Sequence, residues 1–334
     1  MAKVSVLMAV RDAAAFLPES LDSLLRQTFG DWEAVCVDDA SHDGSLALLR
    51  SYAARDPRVR VLSKPVGEGA FLARQKGFAA SVGEYVTMLD ADDWLAPDAL
   101  ERAVAALDGD DSCDTVLYDL RQVSAGREEQ FPLLTARLDG EEAFRRSLTW
   151  QIHGVSMMRR SVYGAADSRS ADSPLSVQEQ QLMNSDELMT QWQYLRSRGV
   201  AQCDGVYYYR QHEGATTRRV SVRRFEVLRS AALMSRYLAA EGASHKVREP
   251  FEQYRWLQLV DLCMFYHCHG RQLSPKERSM GKDWLRETWR SVDRGLLKKE
   301  TTAKFGYRPC RWWWLFRVQE WLYFTLRGIL GRNH

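Results

Sequence analysis

One short segment of the sequence concentrates negative charge: Asp90, Asp92 and Asp93 fall within four residues, directly after an apolar stretch. Carboxylates this close together repel one another and are costly to gather without a cation. Oxygen ligands at this density suit Mg²⁺ or Mn²⁺, which bind through one or two carboxylates together with substrate phosphates. A solvated acidic loop that caps the next helix is the alternative, but the position after a predicted strand favours a metal site.

A second group of acids, Asp38 and Asp39, follows another apolar run and precedes the turn-rich residues 40–45. Carboxylates at the end of a strand can accept hydrogen bonds from a base N–H or a ribose hydroxyl. Asp43 or Ser45 can cap the next helix, but capping does not require two adjacent acids before the turn. This segment is therefore a second candidate for binding a nucleotide.

The loop at residues 64–69 is the third candidate, because it holds Gly67 and Gly69 and leads into a predicted helix that carries Arg74. Glycine permits close approach of the backbone, and the N-terminus of a helix favours anions. The sequence contains no Walker or Rossmann glycine pattern, so ATP hydrolysis and nicotinamide chemistry lack support.

The elements that must position these residues alternate between strand and helix patterns over the first 120 residues. Such βα units with short links predict an α/β fold with a mainly parallel sheet and helices on both faces, in which ligands bind beyond the carboxyl ends of the strands. A further helix is predicted at 179–198 and a further strand at 206–209. The earlier predicted strands lie at 4–10, 34–37, 59–62, 85–89 and 115–120, and the helices at 16–25, 46–52, 70–80 and 97–107.

The order of these motifs resembles family 2 glycosyltransferases with the GT-A fold, of the type that builds bacterial cell-surface polysaccharides. The resemblance covers residues 3–108 almost without a break. A weaker match follows at 185–188, where the family commonly has Glu-Asp-Glu, and at 206–218.

The resemblance implies a nucleotide-diphospho-sugar donor, with UDP expected, a divalent metal cofactor (Mn²⁺ or Mg²⁺) and inversion at the anomeric carbon. Asp39 resembles the acid that binds the nucleobase, Asp90 would lie near the ribose or metal, and Asp92 would bridge the metal to the diphosphate. Asp186 matches the general base, and His212 is a candidate metal ligand. The full donor-binding set is Ala9, Arg11, Asp39, Arg74, Asp90 and Ala91.

Two segments depart from the family pattern. Ala9, Arg11 and Asp12 stand where the family commonly has Pro, Tyr and Asn, which changes the surface expected to stack on the base. Ser185 replaces the usual Glu before the base, so the assignment of Asp186 depends on fewer matching residues than the metal motif.

Composition and charge describe a globular chain with two differently charged parts. The 334 residues are 45% hydrophobic and 27% charged, which excludes a long disordered or collagen-like protein. Six irregularly spaced cysteines and the lack of an apolar signal sequence before the first strand predict a cytoplasmic protein. Residues 218–334 hold 24 basic and 11 acidic residues, whereas 1–217 hold 22 and 33. The predicted domains are therefore a GT-A catalytic domain at 1–217 and a basic helical region at 218–334.

Residues 311–330 are apolar and aromatic, but they also contain Arg317, Glu320 and Arg327 on one side of a predicted helix. These charges argue against a membrane span and favour an amphipathic helix lying in the surface of an anionic membrane. Packing on the domain core or on another subunit of a homo-oligomer is the alternative. Nucleic acid is not an expected partner, because no binding motif accompanies the basic charge.

The predicted function is therefore metal-dependent, inverting transfer of a sugar to a glycan or lipid-linked acceptor, by a peripheral protein on the cytoplasmic face of the cell membrane. One alternative is a sugar-1-phosphate nucleotidyltransferase, although residues 8–18 lack the glycine-rich signature that such an enzyme needs. A non-catalytic membrane scaffold with a degenerate transferase domain is the other.

Overall fold

A computed structural model describes residues 2–124, 126–164, 185–211 and 220–331. The chain divides into two compact units. The first comprises residues 1–181 and 189–215, and the second comprises residues 182–188 and 216–334.

The first unit is built on one large mixed sheet. Strands β1 and β2 are buried along almost their whole length because helices cover both faces of the sheet. The strands in the described residues are β1 Val4–Val10, β2 Trp32–Asp38, β3 Val59–Ser63, β4 Tyr85–Met88, β5 Trp94–Leu95, β6 Thr115–Ser124, β7 Arg127–Gln130, β8 Ser156–Arg159 and β9 Val200–Arg210.

The spatial order of the strands is β3-β2-β1-β4-β8-β6-β9-β5, with β7 paired to β6. The pairs β1–β2, β2–β3, β1–β4 and β6–β9 are parallel, which confirms the predicted α/β fold. The pairs β4–β8, β6–β8, β5–β9 and β6–β7 are antiparallel. The predicted fifth strand therefore does not lie beside the fourth, because β8 enters between them in the opposite direction.

The helices of the first unit follow the predicted positions closely in the amino-terminal part. They are α1 Leu17–Leu25, α2 Ser45–Arg55, α3 Ala70–Ala80, α4 Ala99–Asp108, α5 Gly140–Ser147 and α6 Arg160–Gly164. The helix α7, Ser185–Arg196, covers the described part of the segment predicted at 179–198. The core below the sheet is apolar and includes Leu17, Leu21 and Leu100, which are fully buried.

The second unit is helical. Its helices are α8 Glu226–Ala240, α9 His245–His269, α10 Pro275–Ser291, α11 Lys299–Thr302 and α12 Trp313–Ile329, with short 3-10 turns between them. Phe316 and Phe324 of α12 are buried in a core that includes Trp256 of α9, whose ring lies 5.3 Å from that of Phe316. None of the helices in the described part of the chain is long and apolar enough to cross a membrane.

The charged side of α12 is expected to face water, but in the structure it lies against the second unit. Glu320 is 1% exposed and pairs at 2.9 Å with Arg317, on the side of the helix that packs against the unit. The sequence correctly predicts that these charges share one side, but that side faces protein. The apolar side of α12 is the exposed one.

Candidate active site

The carboxyl ends of three neighbouring parallel strands create the site. β2, β1 and β4 lie side by side in register, so the residues that follow Asp38, Val10 and Met88 meet at one edge of the sheet. Adjacent strands are about 4.8 Å apart, so the segments after β2 and β4 are separated by about 10 Å. This edge holds the three motifs that the sequence singled out.

Asp39 is held by the loop that enters α3. The residue is 1% exposed, and its carboxylate accepts hydrogen bonds from the N–H groups of Glu68 (3.0 Å) and Gly69 (2.7 Å), while the Lys64 ammonium lies 3.0 Å away. Burial works to raise the pKa of Asp39, but these N–H groups and the Lys64 charge hold it below its ordinary value. The carboxylate is therefore ionised and fixes the loop at residues 64–69.

Arg11 lies over the same loop. Its Nη1 donates to the backbone oxygen of Asp39 at 3.2 Å and lies 3.8 Å from the Asp39 carboxylate. A side chain at Gly67 would overlap Arg11, since a Cβ there would lie 1.6 Å from Nη1. Ala9, half-buried in β1, presents only a methyl group. The departures from the family pattern thus place a guanidinium where the family has an aromatic ring.

Asp90, Asp92 and Asp93 form one cluster in the loop between β4 and β5. Among the described residues they are the group that could hold a metal ion, with one carboxylate oxygen from each within 4.8 Å of the others. Asp93 is buried, and its burial and then the charge of Asp90 raise the pKa of Asp93 to about 8. Part of this shift is repulsion between neighbouring carboxylates, which a bound cation would relieve. Ala91, between the acids, is buried.

Strand β9 fixes the acidic loop from the other side. The hydroxyl of Tyr207 donates to Asp93 Oδ2 at 2.7 Å and accepts from the backbone N–H of Asp90 at 3.2 Å. Arg210 donates its backbone N–H to Asp93 Oδ1 (2.8 Å) and its Nε to the backbone oxygen of Asp92 (2.8 Å). Its guanidinium also pairs with Glu19 of α1. With both oxygens of Asp93 engaged, Asp90 and Asp92 are the acids better placed to meet a ligand.

Helix α3 connects the two acidic centres. Gly69, which precedes its first residue, has a φ of 99° and donates its N–H to Asp39. One turn further along, Arg74 pairs with Asp90 at 2.6 Å. The left-handed backbone at Gly69 is accessible to glycine without strain, so the residue type permits this approach. Arg74 therefore lies at the acidic cluster, and its role in binding a donor stays a prediction.

Of the predicted catalytic base Asp186 and the candidate metal ligand His212, the structure describes Asp186. Asp186 is exposed in the first turn of α7 and accepts from the N–H of Glu187 at 3.0 Å. Glu187 in turn accepts from the Tyr254 hydroxyl of α9 at 3.3 Å. His212 lies outside the described residues, and its role stays a prediction.

Sequence reasoning missed the contributions of Asp93, Lys64, Tyr207 and Arg210 to this site. The sequence predicts Asp93 only as one of three clustered acids. Its hydrogen bonds come from residues of β9 that lie more than 110 positions further along the chain. The alternating pattern of β9 is a signal that could have found Tyr207, since it predicts that Tyr207 and Tyr209 share one face of the strand.

The geometry defines a class: an α/β sheet that gathers acidic residues at its carboxyl edge, among them a cluster that could hold a metal ion. Residues 5–165 match the model of glycosyl transferase family 2. Over these residues the match confirms the resemblance to family 2 glycosyltransferases that the sequence predicts.

Two bacterial relatives support this resemblance. The chain is 33% identical over 99 residues to an uncharacterized glycosyltransferase of Haemophilus influenzae, covering 30% of this chain and 40% of that one. It is 42% identical over 105 residues to the O-antigen biosynthesis protein RfbC of Myxococcus xanthus, covering 31% and 8%. The chain thus spans less than half the length of these two relatives.

One solved structure resembles this chain over almost its whole length. The crystal structure of S. aureus TarS 1-349 in complex with UDP-GlcNAc matches with a TM-score of 0.71 at 18% identity, covering 99% of this chain and 92% of that chain. This likeness shows that the two chains share the GT-A fold.

Proposed function

We propose that the protein transfers a sugar, with inversion, from a nucleotide-diphospho-sugar to a hydroxyl of a glycan or lipid-linked acceptor during assembly of a cell-surface polysaccharide. The observation that carries this proposal is the cluster of Asp90, Asp92 and Asp93 at the sheet edge next to Asp39. A metal-binding acid cluster beside a candidate nucleobase site is what transfer from a nucleotide sugar requires.

Asp90 and Asp92 would hold a divalent ion, Mn²⁺ or Mg²⁺, with His212 as a further candidate ligand. When bound, the ion supplies Lewis-acid stabilisation of the negative charge that develops on the departing diphosphate. Arg74, already paired with Asp90 at 2.6 Å, would add positive charge on the same side.

Asp39 and Arg11 would hold the nucleotide base. Because Asp39 is buried under the loop at residues 64–69, a base N–H can reach its carboxylate only if the loop gives up one of its bonds to that residue. UDP-sugars are the first donors to test, since TarS crystallised with UDP-GlcNAc.

Asp186 would accept the acceptor's proton. The acceptor oxygen bonds to the anomeric carbon from the face opposite the diphosphate, the bond from that carbon to the diphosphate oxygen breaks, and the hydroxyl proton passes to the carboxylate. A positioned carboxylate typically contributes about 10²–10⁴-fold to such a step. One base and one cation on opposite sides of the carbon suffice for inversion.

We propose a peripheral location on the cytoplasmic face of the cell membrane, where a lipid-linked acceptor would be found. The predicted division into a catalytic domain at 1–217 and a basic helical region at 218–334 fits this arrangement. The basic excess of residues 218–334 supports an anionic surface as a partner.

Replacing the central acid tests the metal assignment. Asp92→Asn should remove transfer and weaken Mn²⁺-dependent UDP binding by more than about tenfold, because one of the two acids that would hold the ion loses its charge. Calorimetry of UDP binding with and without Mn²⁺ measures the effect. Asp111→Asn, at a fully exposed acid of the same unit, is the control and should leave binding unchanged. Equal Mn²⁺-dependent binding by Asp92→Asn and the unmodified protein would contradict the assignment.

A further inference from the structure

The exposed face of α12 is a continuous apolar surface. Trp314, Leu315, Val318, Trp321, Leu322, Leu326 and Ile329 are each between 36% and 77% exposed. Their spacings of one, three and four residues place them along one side of the helix. The opposite side carries Phe316, Gln319, Glu320 and Phe324, which are buried in the core of the second unit. We refer to the seven exposed residues as the α12 apolar face.

The exposed charges within residues 304–331 have one sign. Lys304, Arg308 and Arg311 precede the helix and are exposed, and Arg327 is half-exposed near its end. The single acid in residues 304–331 is Glu320, which is buried and paired with Arg317. The exposed charges of this described segment are therefore positive, which makes the segment complementary to an anionic partner.

The type of the exposed residues indicates a lipid surface. Trp312, Trp314 and Trp321 are 52%, 62% and 57% exposed. Tryptophan is enriched at the boundary between lipid headgroups and acyl chains, where its ring is buried and its N–H stays hydrated. A helix of 17 residues is about 25 Å long. It can lie in the plane of a membrane with its apolar face buried about 5–10 Å deep.

We infer that the α12 apolar face inserts into the surface of an anionic lipid bilayer and attaches the protein to it. The polar side of α12 does not face water, as it would in an isolated amphipathic helix, because Glu320 and its hydrogen-bond donor Arg317 lie against the protein. The helix is thus held rigidly by the second unit while its apolar side is presented outward. This inference is independent of the transfer chemistry and of the metal site.

Flotation with lipid vesicles tests the inference on the full chain. We expect the protein to float with vesicles of equal parts phosphatidylglycerol and phosphatidylcholine, and to bind pure phosphatidylcholine more weakly. Trp314→Gln combined with Trp321→Gln should reduce binding to the anionic vesicles at least about tenfold, because two rings that would be buried in the lipid are lost. High salt should weaken binding only in part, since salt screens the arginines but not the apolar contact.

A matched variant and two further measurements distinguish membrane insertion through α12 from binding through another surface and from a subunit interface. Trp150→Gln removes a tryptophan that is 63% exposed in the first unit, and it should bind vesicles as the unmodified protein does. Brominated lipids should quench the tryptophan fluorescence of the unmodified protein but much less that of the double variant. Failure of the unmodified protein to bind anionic vesicles, or equal binding by the double variant, overturns the inference. Conversion of an oligomer to a monomer by the double variant, without vesicle binding, would make this face a subunit interface instead.

Discussion

The acidic residues at the carboxyl edge of the sheet differ in how firmly the surrounding protein binds their carboxylates. Asp93 has both carboxylate oxygens engaged by β9, and Asp39 is engaged by the loop before α3. Asp90 is bound on one side by Arg74, while Asp92 is half-buried in the same loop. The four acids therefore differ in how many of their carboxylate oxygens are already bound by protein groups. The residue types alone do not predict this difference.

The neighbouring acids at the start of α7 allow a paired test of the base. Asp186→Asn should lower turnover by about 10²–10⁴-fold while donor binding stays nearly intact, since the proton moves only on the way to the transition state. Glu187→Gln is the control and should keep most of the turnover, because that carboxylate is engaged by Tyr254. Turnover of both variants with saturating acceptor, together with UDP affinity, measures the difference. Near-normal turnover by Asp186→Asn would direct the search to Glu187 or Glu179.

At the scale of elements, β9 determines the shape of the acidic loop. It contacts the loop through one hydroxyl, one backbone N–H and one guanidinium, and Arg210 extends the contact to α1 through Glu19. Because Tyr207 is buried, water cannot replace Asp93 as the hydrogen-bond partner of its hydroxyl. The strand therefore positions the acidic loop.

Removing the Tyr207 hydroxyl tests this positioning role. In Tyr207→Phe, Asp93 loses one donor and the N–H of Asp90 loses its acceptor, at a cost of about 1–3 kcal/mol in stability. We expect the Mn²⁺ concentration needed for half-maximal donor binding to rise about tenfold or more. Tyr118→Phe, at a fully buried tyrosine of β6, is the matched control. A loss of stability without any change in the Mn²⁺ requirement would mean that Tyr207 serves the fold alone.

At the scale of the whole molecule, each of the two compact units has its own core and its own surface character. The first unit builds its core on the sheet, and the second encloses aromatic side chains between helices, including Trp256, Phe316 and Phe324. The second unit also buries Glu320, which accepts a hydrogen bond from Arg317 at 2.9 Å. Burying Glu320 on α12 is what turns the apolar side of the helix outward.

The buried Glu320 makes stability depend on pH. Burial raises the pKa of Glu320 to about 8, although the Arg317 charge opposes this shift. Between about pH 5 and pH 8 the folded protein keeps a proton that the unfolded chain has lost, so this residue makes stability fall as the pH rises and level off above about 8. The slope is at most about 1.4 kcal/mol per pH unit.

Denaturant unfolding across this pH range measures the effect. Glu320→Gln cannot ionise, so its stability should decline less with pH than that of the unmodified protein. Glu241→Gln, at an exposed acid of the same unit, should keep the full decline. The same pH dependence in the unmodified protein and Glu320→Gln would show that Glu320 is ionised in the folded state.

The sequence by itself determined the α/β fold, the family and the identity of the acids after β2 and β4. These features are encoded locally: a strand followed by its acids occupies about ten residues, and parallel βα units bring such strand ends to a common edge. The position of α3 and the proximity of Asp39 to the loop at residues 64–69 follow from the same regularity.

Only the tertiary structure decided which acids are engaged and which side of α12 is exposed. The partners of Asp93 lie on β9, more than 110 residues away, and the antiparallel entry of β8 separates strands that the sequence order would make neighbours. For α12, amphipathic spacing defines two sides of a helix but not which one meets protein. That choice depends on the contact with α9, where burial of Phe316 and Phe324 draws Glu320 inward with them.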